Sequence, residues 1–146
     1  QKRKEYGQFF TSLETARFMV SLYKIPTDKQ CITVLDAGAG SGILSCAFME
    51  RLEQFNSIKE IELIGENKNS LKYDYVIGNP PYMKISKNAP EVIAMPEICY
   101  GTPNLYFLFA AIGLFNLKDN GKKVYIIPRS WTSGAYSSIC KPKQGF

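Results

Sequence analysis

The sequence VLDAGAGSG, residues 34–42, places three glycines at alternate positions directly after a run of apolar and β-branched residues. That run, Cys31 to Leu35, predicts a strand, and the apolar residues from Ile43 to about Phe55 predict a helix. Glycines between a strand and a helix let a ligand reach the backbone where side chains would collide. Because the helix start also presents free N–H groups and a positive dipole end, this turn predicts a site for a carboxylate or a phosphate.

The spacing of Gly38, Gly40 and Gly42 excludes two familiar glycine-rich sites. It is not the GxGxxG pattern of dinucleotide-binding proteins, and no Gly-Lys-Ser/Thr of a phosphate loop follows it. A glycine-rich turn that only packs tightly against its neighbours is the alternative interpretation at this point.

A second motif, DYVIGNPPY at residues 74–82, ends another predicted strand, Tyr73 to Gly78. The two prolines fix φ near −65° and remove two backbone donors, so what remains after the strand is rich in acceptors. The side-chain oxygen of Asn79 and the carbonyl oxygen of Pro80 suit an exocyclic amine, and the ring of Tyr82 offers a flat face to a planar base. A strand-ending turn with Tyr82 in the core is the alternative.

A third segment, YGQFFT at residues 6–11, leads into a predicted helix. The sequence TSLE, residues 11–14, has a hydroxyl residue followed by an acid at the spacing of a capping box, and apolar residues then recur at helical spacing until Pro26. Taken in isolation, Thr11 is best explained as a helix cap.

The other predicted elements continue the alternation of strand and helix. They are a strand from Ile58 to Gly65, a polar loop from Asn79 to Pro103, a helix from Asn104 to about Leu117, a turn at residues 118–121 and a strand from Lys122 to Ile127. This alternation predicts an α/β fold with a doubly wound, mostly parallel sheet.

Composition excludes several classes of protein. The chain has 146 residues, enough for one domain with its own core, and a formal net charge of +5 that suits phosphate-bearing partners. It has no histidine, which excludes an imidazole base and most zinc sites. The 4 cysteines are scattered, as in a reduced, cytoplasmic protein. The longest apolar run, residues 105–115, falls short of the ~20 residues that span a bilayer.

One predicted connection is too short for the fold. Six residues separate Glu66 from Tyr73, whereas a crossover between parallel strands normally takes a dozen or more and includes a helix. Either Ile58–Gly65 is not a parallel strand, or a segment near residues 67–72 has been lost. We favour the loss.

In this order, the three motifs resemble the amino-methylating DNA methyltransferases, specifically the N6-adenine enzymes of bacterial type II restriction–modification systems in their γ arrangement. The resemblance runs from about residue 4 to residue 136 and includes NLY at 104–106 and VYIIPRSW at 124–131. It implies a Rossmann-like, S-adenosylmethionine-dependent methyltransferase fold and methyl transfer to the N6 amine of a flipped adenine in double-stranded DNA. It also implies a restriction endonuclease as a partner, either a separate subunit or a fused domain, and no metal or membrane.

The resemblance assigns roles to individual residues. The residues expected to contact the methionine part of the cofactor are Thr11, Asp36, Gly38 and Gly40. Glu66 is expected to bind the ribose hydroxyls, with Glu62 as the alternative.

The catalytic pocket implied by the resemblance consists of Asn79, Pro80 and Tyr82. Tyr136 is expected to supply a second face for the base.

The chain departs from the family pattern in two places. Relatives usually have a helix, a strand and an acidic residue where residues 67–72 stand, and they continue into a target-recognition domain that the tail, residues 137–146, does not supply. With no initiator methionine, the chain is expected to be a fragment or an internally shortened enzyme, with residues 1–136 as its catalytic domain. The alternatives are an NPPY methyltransferase acting on protein glutamine or RNA, and an inactive truncated remnant.

Overall fold

The computed structural model describes residues 9–64, 72–96, 98, 103–127 and 129. Within these residues the helices are α1 (Leu13–Ser21), α2 (Ile43–Leu52), α3 (Pro90–Ile93) and α4 (Leu105–Phe115). The strands are β1 (Cys31–Asp36), β2 (Glu60–Ile64), β3 (Tyr73–Gly78) and β4 (Leu117–Tyr125). The order of strands and long helices confirms the sequence prediction. The short helix α3 does not, since it lies within the segment predicted as a loop, with Pro90 preset for a first helical position.

The sheet formed by the described strands has the order β2-β1-β3-β4, and every pairing in it is parallel. The central strands β1 and β3 carry the most deeply buried residues, whereas β2 is largely exposed. This arrangement confirms an α/β, doubly wound parallel sheet, incomplete relative to a full Rossmann-like fold. No helix in the described part of the chain is long and apolar enough to cross a membrane.

Two apolar clusters cover the two faces of the sheet. On one face, α1 and α2 pack through residues such as Met19 and Phe48 against Ile32, Val34 and other side chains of β1 and β3. On the other face, the helix α4 contributes Phe109 to a cluster that contains Leu35, Ala37 and Val76. Because successive side chains of a strand point to opposite faces, Val34 and Leu35 belong to different clusters.

The hydroxyl of Tyr23 ties the first helical layer into the sheet. This ring is buried against Phe48 and Tyr75, and its hydroxyl donates to the carbonyl oxygen of Val76 at 2.6 Å and accepts from the backbone N–H of Val124 at 3.1 Å. It therefore bridges β3 and β4. Burial raises the pKa of Tyr23 well above its ordinary value, so the hydroxyl keeps its proton.

Eight residues, 65–72, connect β2 to β3, two more than the sequence indicated but still fewer than a parallel crossover normally takes. Pairing of β2 with β1 is parallel, so the alternative that this segment is not a parallel strand is wrong. The β1 strand lies between β2 and β3, and the connecting residues 65–71 lie outside the described part. The loss of a segment at this connection stays a prediction.

The strand β4 begins earlier than predicted. We expected a turn at residues 118–121 and a strand from Lys122, but β4 starts at Leu117. Leu117 pairs with Tyr73 and Lys122 pairs with Tyr75. Between these two pairs, β4 advances by five residues while β3 advances by two. Asn120 takes a positive φ of 64° within this step. The turn-forming residues are thus accommodated as a wide irregularity inside the strand.

The buried carboxylate of Asp74, the second residue of β3, joins neighbouring strands at the amino-terminal end of the sheet. Asp74 accepts from Lys29 Nζ at 2.5 Å, from Lys118 Nζ at 2.9 Å, and from both the backbone N–H and the hydroxyl of Thr33. Burial raises the pKa of Asp74, but these donors outweigh it and hold the pKa well below its ordinary value. Asp74 therefore joins β1, β3 and β4 as a carboxylate.

Candidate active site

A cleft opens at the carboxyl ends of β1 and β3, where ligands bind in open α/β sheets. Its lining comes from the segment before α1, the glycine turn, the start of α2 and the residues after β3. The lining residues are Phe9, Phe10, Thr11, Gly38, Ala39, Gly40, Ser41, Ile43, Leu44, Asn79 and Pro81. The cleft encloses about 100 Å³, several times the space that one water molecule needs.

The sheet register brings the two main motifs to one edge. Asp36 pairs with Ile77, and the backbone N–H of Ala37 donates to the carbonyl oxygen of Ile77 at 3.1 Å. Asn79 follows two residues later. The glycine turn and the NPPY segment therefore share a crevice.

The three glycines of the turn all adopt left-handed backbone conformations, with φ of 78° at Gly38, 55° at Gly40 and 74° at Gly42. At Gly38 a side chain would also be crowded, since a Cβ would lie 3.0 Å from the ring of Phe109 on α4, which would have to shift. At Gly40 and Gly42 the surroundings are open. Glycine is needed at those two positions for its φ, and Gly40 leaves the cleft wall open.

The side chain of Asn79 is held at both ends of its amide group. Nδ2 donates to the carbonyl oxygen of Phe9 at 2.9 Å and to the hydroxyl oxygen of Thr11 at 3.1 Å. Oδ1 accepts from the hydroxyl of Tyr82 at 3.2 Å. Two segments far apart in the sequence, the one before α1 and the one after β3, thus meet at one amide.

Ser12, not Thr11, caps α1. The side chain of Ser12 accepts from the backbone N–H of Thr15 at 3.2 Å, and its carbonyl accepts the first helical bond, from Ala16. The explanation of Thr11 as a helix cap is therefore wrong. Its hydroxyl faces Asn79 instead.

Tyr82 uses its hydroxyl as well as its ring. The hydroxyl lies 2.9 Å from the carbonyl oxygen of Ile126 as well as 3.2 Å from Asn79 Oδ1. Since a hydroxyl has one hydrogen, it donates to one of these oxygens at a time. The ring lies 5.8 Å from that of Phe9 and edge-on to Tyr106 at 6.0 Å. Burial raises the pKa of Tyr82 above its ordinary value.

Asp36 is fully buried behind the cleft. One carboxylate oxygen accepts from the hydroxyl of Ser45 on α2 at 2.5 Å, whereas Oδ1 has no partner among the described residues. Burial raises the pKa of Asp36, and hydrogen bonds from the hydroxyl and the backbone of Ser45 lower it in part. An unsatisfied buried carboxylate oxygen is costly unless a donor or a cation reaches it.

The remaining predicted site residues do not line the described cleft. Pro80 is buried, and its neighbour Pro81 contributes to the wall instead. Glu62 is exposed in the middle of β2, level with Thr33 and not with the carboxyl end of β1. Glu66 and Tyr136 lie outside the described residues.

Sequence reasoning missed several contacts that shape this site. Ser45 follows the glycine turn by one helical step, a position that could have marked it as a partner for Asp36. Phe9 and Ile126 accept hydrogen bonds from Asn79 and Tyr82 through their backbone carbonyl oxygens. Because any residue has such a carbonyl, the residue type at these two positions could not have predicted the contacts.

Comparison with known proteins gives the family. Residues 12–142 match the family model described as Eco57I restriction-modification methylase. The chain belongs to this family. Its curated relatives include type II methyltransferase M.BsuBI of Bacillus subtilis, 30% identical over 93% of this chain and 36% of the relative. M.AccI of Acinetobacter calcoaceticus is 32% identical over 97% of this chain and 31% of the relative.

The chain spans about a third of the length of these relatives. The alignment with M.BsuBI runs over 183 positions, more than the 146 residues of the chain. M.BsuBI therefore contains residues within the aligned region that have no counterpart in this chain. These additional residues of M.BsuBI agree with a shortened connection between β2 and β3 in this chain, although the alignment length does not show where they lie.

Two solved structures with the same architecture are described as methyltransferases. A protein described as a class I S-adenosylmethionine-dependent methyltransferase from Listeria monocytogenes has a TM-score of 0.64 and 15% identity, over 86% of this chain and 47% of its own. A type I restriction-modification methyltransferase subunit from Streptococcus thermophilus has a TM-score of 0.59 and 20% identity, over 84% and 35%. The predicted Rossmann-like methyltransferase fold is thereby confirmed.

Proposed function

We propose that the cleft binds S-adenosylmethionine and that the chain, or the enzyme it belongs to, methylates the N6 amine of adenine in double-stranded DNA. The observation that carries the proposal is the cleft that Gly38, Gly40 and Asn79 line together. It is supported by membership in the Eco57I restriction-modification methylase family. The proposal extends to the setting of the activity, which would be a restriction–modification system that includes a nuclease and acts on DNA in the cytoplasm.

The residues present fit the methionine end of this cofactor. The α2 helix begins at the cleft, where its first residues Ile43 and Leu44 line the wall, so the helix start is open to a carboxylate. The unsatisfied Oδ1 of Asp36 adds negative charge behind the same wall, suited to an ammonium group. When bound, S-adenosylmethionine supplies a methyl group activated on a sulfonium.

Asn79 and Pro80 are proposed to prepare the target amine. An adenine in a duplex must leave the base stack to reach the cleft, which costs a few kcal/mol. Its amine is a poor nucleophile because the lone pair is delocalised into the ring. Acceptance of one N–H group by Asn79 Oδ1 would localise that lone pair, with the carbonyl of Pro80, a residue buried beside the cleft, proposed as the second acceptor. The protein then contributes orientation and electrostatics, and the amine releases its proton to solvent after the transfer.

Tyr82 and the basic residues beyond it are proposed to hold the nucleic acid. The ring of Tyr82 is half-buried next to Asn79, where it can stack on a base. Lys84 and Lys87 are exposed on the segment that follows, and phosphate contacts of this kind weaken with added salt.

A methyl-transfer assay with three acceptors tests the proposal. The full chain is incubated with methyl-labelled S-adenosylmethionine and unmethylated DNA, transfer RNA or a glutamine-containing protein substrate, and the products are identified by mass spectrometry. We expect N6-methyladenine in the DNA reaction alone. Label in RNA or protein would reassign the substrate, and no transfer to any acceptor would show this chain to be an inactive remnant.

The variant Asn79→Ala separates chemistry from binding. We expect it to abolish transfer and to weaken the affinity for S-adenosylmethionine far less, because the proposed role of the amide is toward the target amine, although the variant also loses the bonds from Nδ2 to Phe9 and Thr11. The exposed Asn88, outside the cleft, provides the matched control Asn88→Ala, which should transfer at the wild-type rate. Equal loss of binding and transfer in Asn79→Ala would contradict the assigned role.

A further inference from the structure

The orientation of the Asn79 amide follows from the chemistry of its partners. An asparagine amide has an oxygen that accepts and a nitrogen that donates two hydrogen bonds. The carbonyl oxygen of Phe9, 2.9 Å away, can only accept, so the nitrogen must face it. The second hydrogen of the same nitrogen is directed to the hydroxyl oxygen of Thr11 at 3.1 Å.

Both hydrogens of Asn79 are therefore used by the segment before α1. The oxygen is left on the other side of the amide, next to the Tyr82 hydroxyl. Since that hydroxyl has a second and shorter acceptor in the Ile126 carbonyl, at 2.9 Å against 3.2 Å, it can turn away from Asn79. The oxygen of Asn79 can thus be released to a new donor while its nitrogen stays fixed.

Thr11 is available for the contact with Asn79 because the adjacent residue, Ser12, caps the helix. Ser12 caps α1 through the backbone N–H of Thr15, so the Thr11 hydroxyl is not needed by the helix. The Thr11 side chain is half-buried in the cleft wall. Its hydroxyl accepts from Asn79 and retains its own hydrogen for a ligand in the cleft.

We infer that Thr11 is a positioning residue for methyl transfer, which fixes the Asn79 amide with its oxygen directed to the target amine. This inference rests on the proposed function and adds to it. The sequence assigned Thr11 a contact with the cofactor and no other role. In the structure its hydroxyl also bonds to the amide of Asn79, which is proposed to receive the target amine. Loss of the Thr11 hydroxyl leaves the amide nitrogen held by the Phe9 carbonyl alone, so the amide is less firmly fixed and its oxygen is directed less precisely to the target amine.

The state of the amide can be measured without any methyl transfer. The nitrogen–proton NMR spectrum of the full chain contains the Asn79 side-chain pair, which Asn79→Ala identifies by its disappearance. We expect Thr11→Val, which has the same shape but no hydroxyl, to move this pair and to speed its hydrogen exchange about tenfold, the effect of one lost hydrogen bond. Thr11→Ser should restore the wild-type signal, and Thr11→Ala provides a second variant without the hydroxyl.

A matched control comes from Thr27, which is exposed between α1 and β1. The variant Thr27→Val makes the same change away from the cleft and should leave the Asn79 pair unmoved. If Thr11→Val and Thr11→Ala also leave the pair and its exchange unchanged, the inference is overturned.

Kinetics then distinguish positioning from cofactor contact. We expect Thr11→Val to lower kcat at least tenfold, a larger factor than the loss of affinity for S-adenosylmethionine that removal of the hydroxyl also causes, and Thr11→Ser to recover most of kcat. A loss confined to cofactor affinity would overturn the positioning role. A wild-type chain that shows the fixed amide but transfers no methyl group would contradict the proposed function and leave the contact between Thr11 and Asn79 established.

Discussion

The side-chain nitrogen of Asn79 lies 3.1 Å from the hydroxyl oxygen of Thr11, although 68 residues separate the two in the chain. This contact joins the segment before α1 to the end of β3. It makes the cleft one unit, in which the glycine turn forms one wall and the NPPY segment the other.

The ring of Tyr82 should matter more than its hydroxyl. Tyr82→Phe keeps the face proposed to stack on the base, and we expect methyl transfer to DNA to fall less than about fivefold. Tyr82→Ala removes the face, and we expect a loss of about 10–100-fold, because stacking of a base on an aromatic ring contributes about 1–3 kcal/mol. Steady-state kinetics with DNA as the varied substrate measure both. If phenylalanine proves as damaging as alanine, the ring is not a stacking surface.

Cofactor affinity should depend on pH through Asp36. Burial raises the pKa of this carboxyl above its ordinary value of 3.8, so the native state loses stability as the pH rises through that pKa. A cationic ligand favours the carboxylate. The affinity for S-adenosylmethionine should therefore rise with pH through the pKa of Asp36 and level off above it.

Two variants test this dependence on Asp36. Asp36→Asn should weaken binding and flatten the profile. Ser45→Ala removes a hydrogen bond that lowers the pKa, so its profile should shift to higher pH. Calorimetric titrations at a series of pH values measure both effects, and an unshifted profile in Ser45→Ala would count against Asp36 as the titrating group.

Asp74 should stabilise the fold above its ordinary pKa. Its pKa is depressed in the native state by Lys29, Thr33 and Lys118 against the opposing effect of burial, so its contribution is present above pH 3.8 and is lost as the pH falls through the depressed pKa. We expect Asp74→Asn to reduce the free energy of unfolding by about 1–3 kcal/mol at pH 7. Its difference from wild type should shrink below pH 3.8.

Urea denaturation at pH 7 and pH 3 measures that change. The exposed Asp28 gives the control Asp28→Asn, which should change the unfolding free energy by less than about 0.5 kcal/mol. A deficit in Asp74→Asn that is the same at both pH values would mean that the charge of Asp74 is not what stabilises the sheet.

The local sequence pattern was sufficient to predict the strand and helix boundaries that depend on neighbouring residues. The bounds of β3 follow from its apolar run and its glycine, and the start of α4 from Asn104, whose side chain accepts from the backbone N–H of Tyr106. The meeting of the glycine turn with NPPY follows from parallel pairing of β1 and β3. None of these needed a distant partner to be known.

Contacts between distant segments account for what the sequence did not predict. Thr11 and Ser12 are adjacent hydroxyl residues, and the sequence alone does not show that Ser12 caps α1 while Thr11 bonds to Asn79. The register of β4 is set by its partner β3, so the residues around Asn120 become part of a strand despite their preference for a turn. Asp36 was predicted at the cleft, but its burial and its bond to Ser45 depend on how α2 packs.

The most direct test of the account is a calorimetric titration of S-adenosylmethionine into the wild-type chain, Gly40→Ala and Gly42→Ala. Both glycines have positive φ and open surroundings, so both variants carry similar backbone strain, but only Gly40 lines the cleft. We predict that the wild-type chain and Gly42→Ala bind with affinities within about threefold of each other and that Gly40→Ala binds at least about tenfold more weakly. Absence of binding by the wild-type chain, or equal affinity in all three proteins, would contradict the assignment of this cleft to the cofactor.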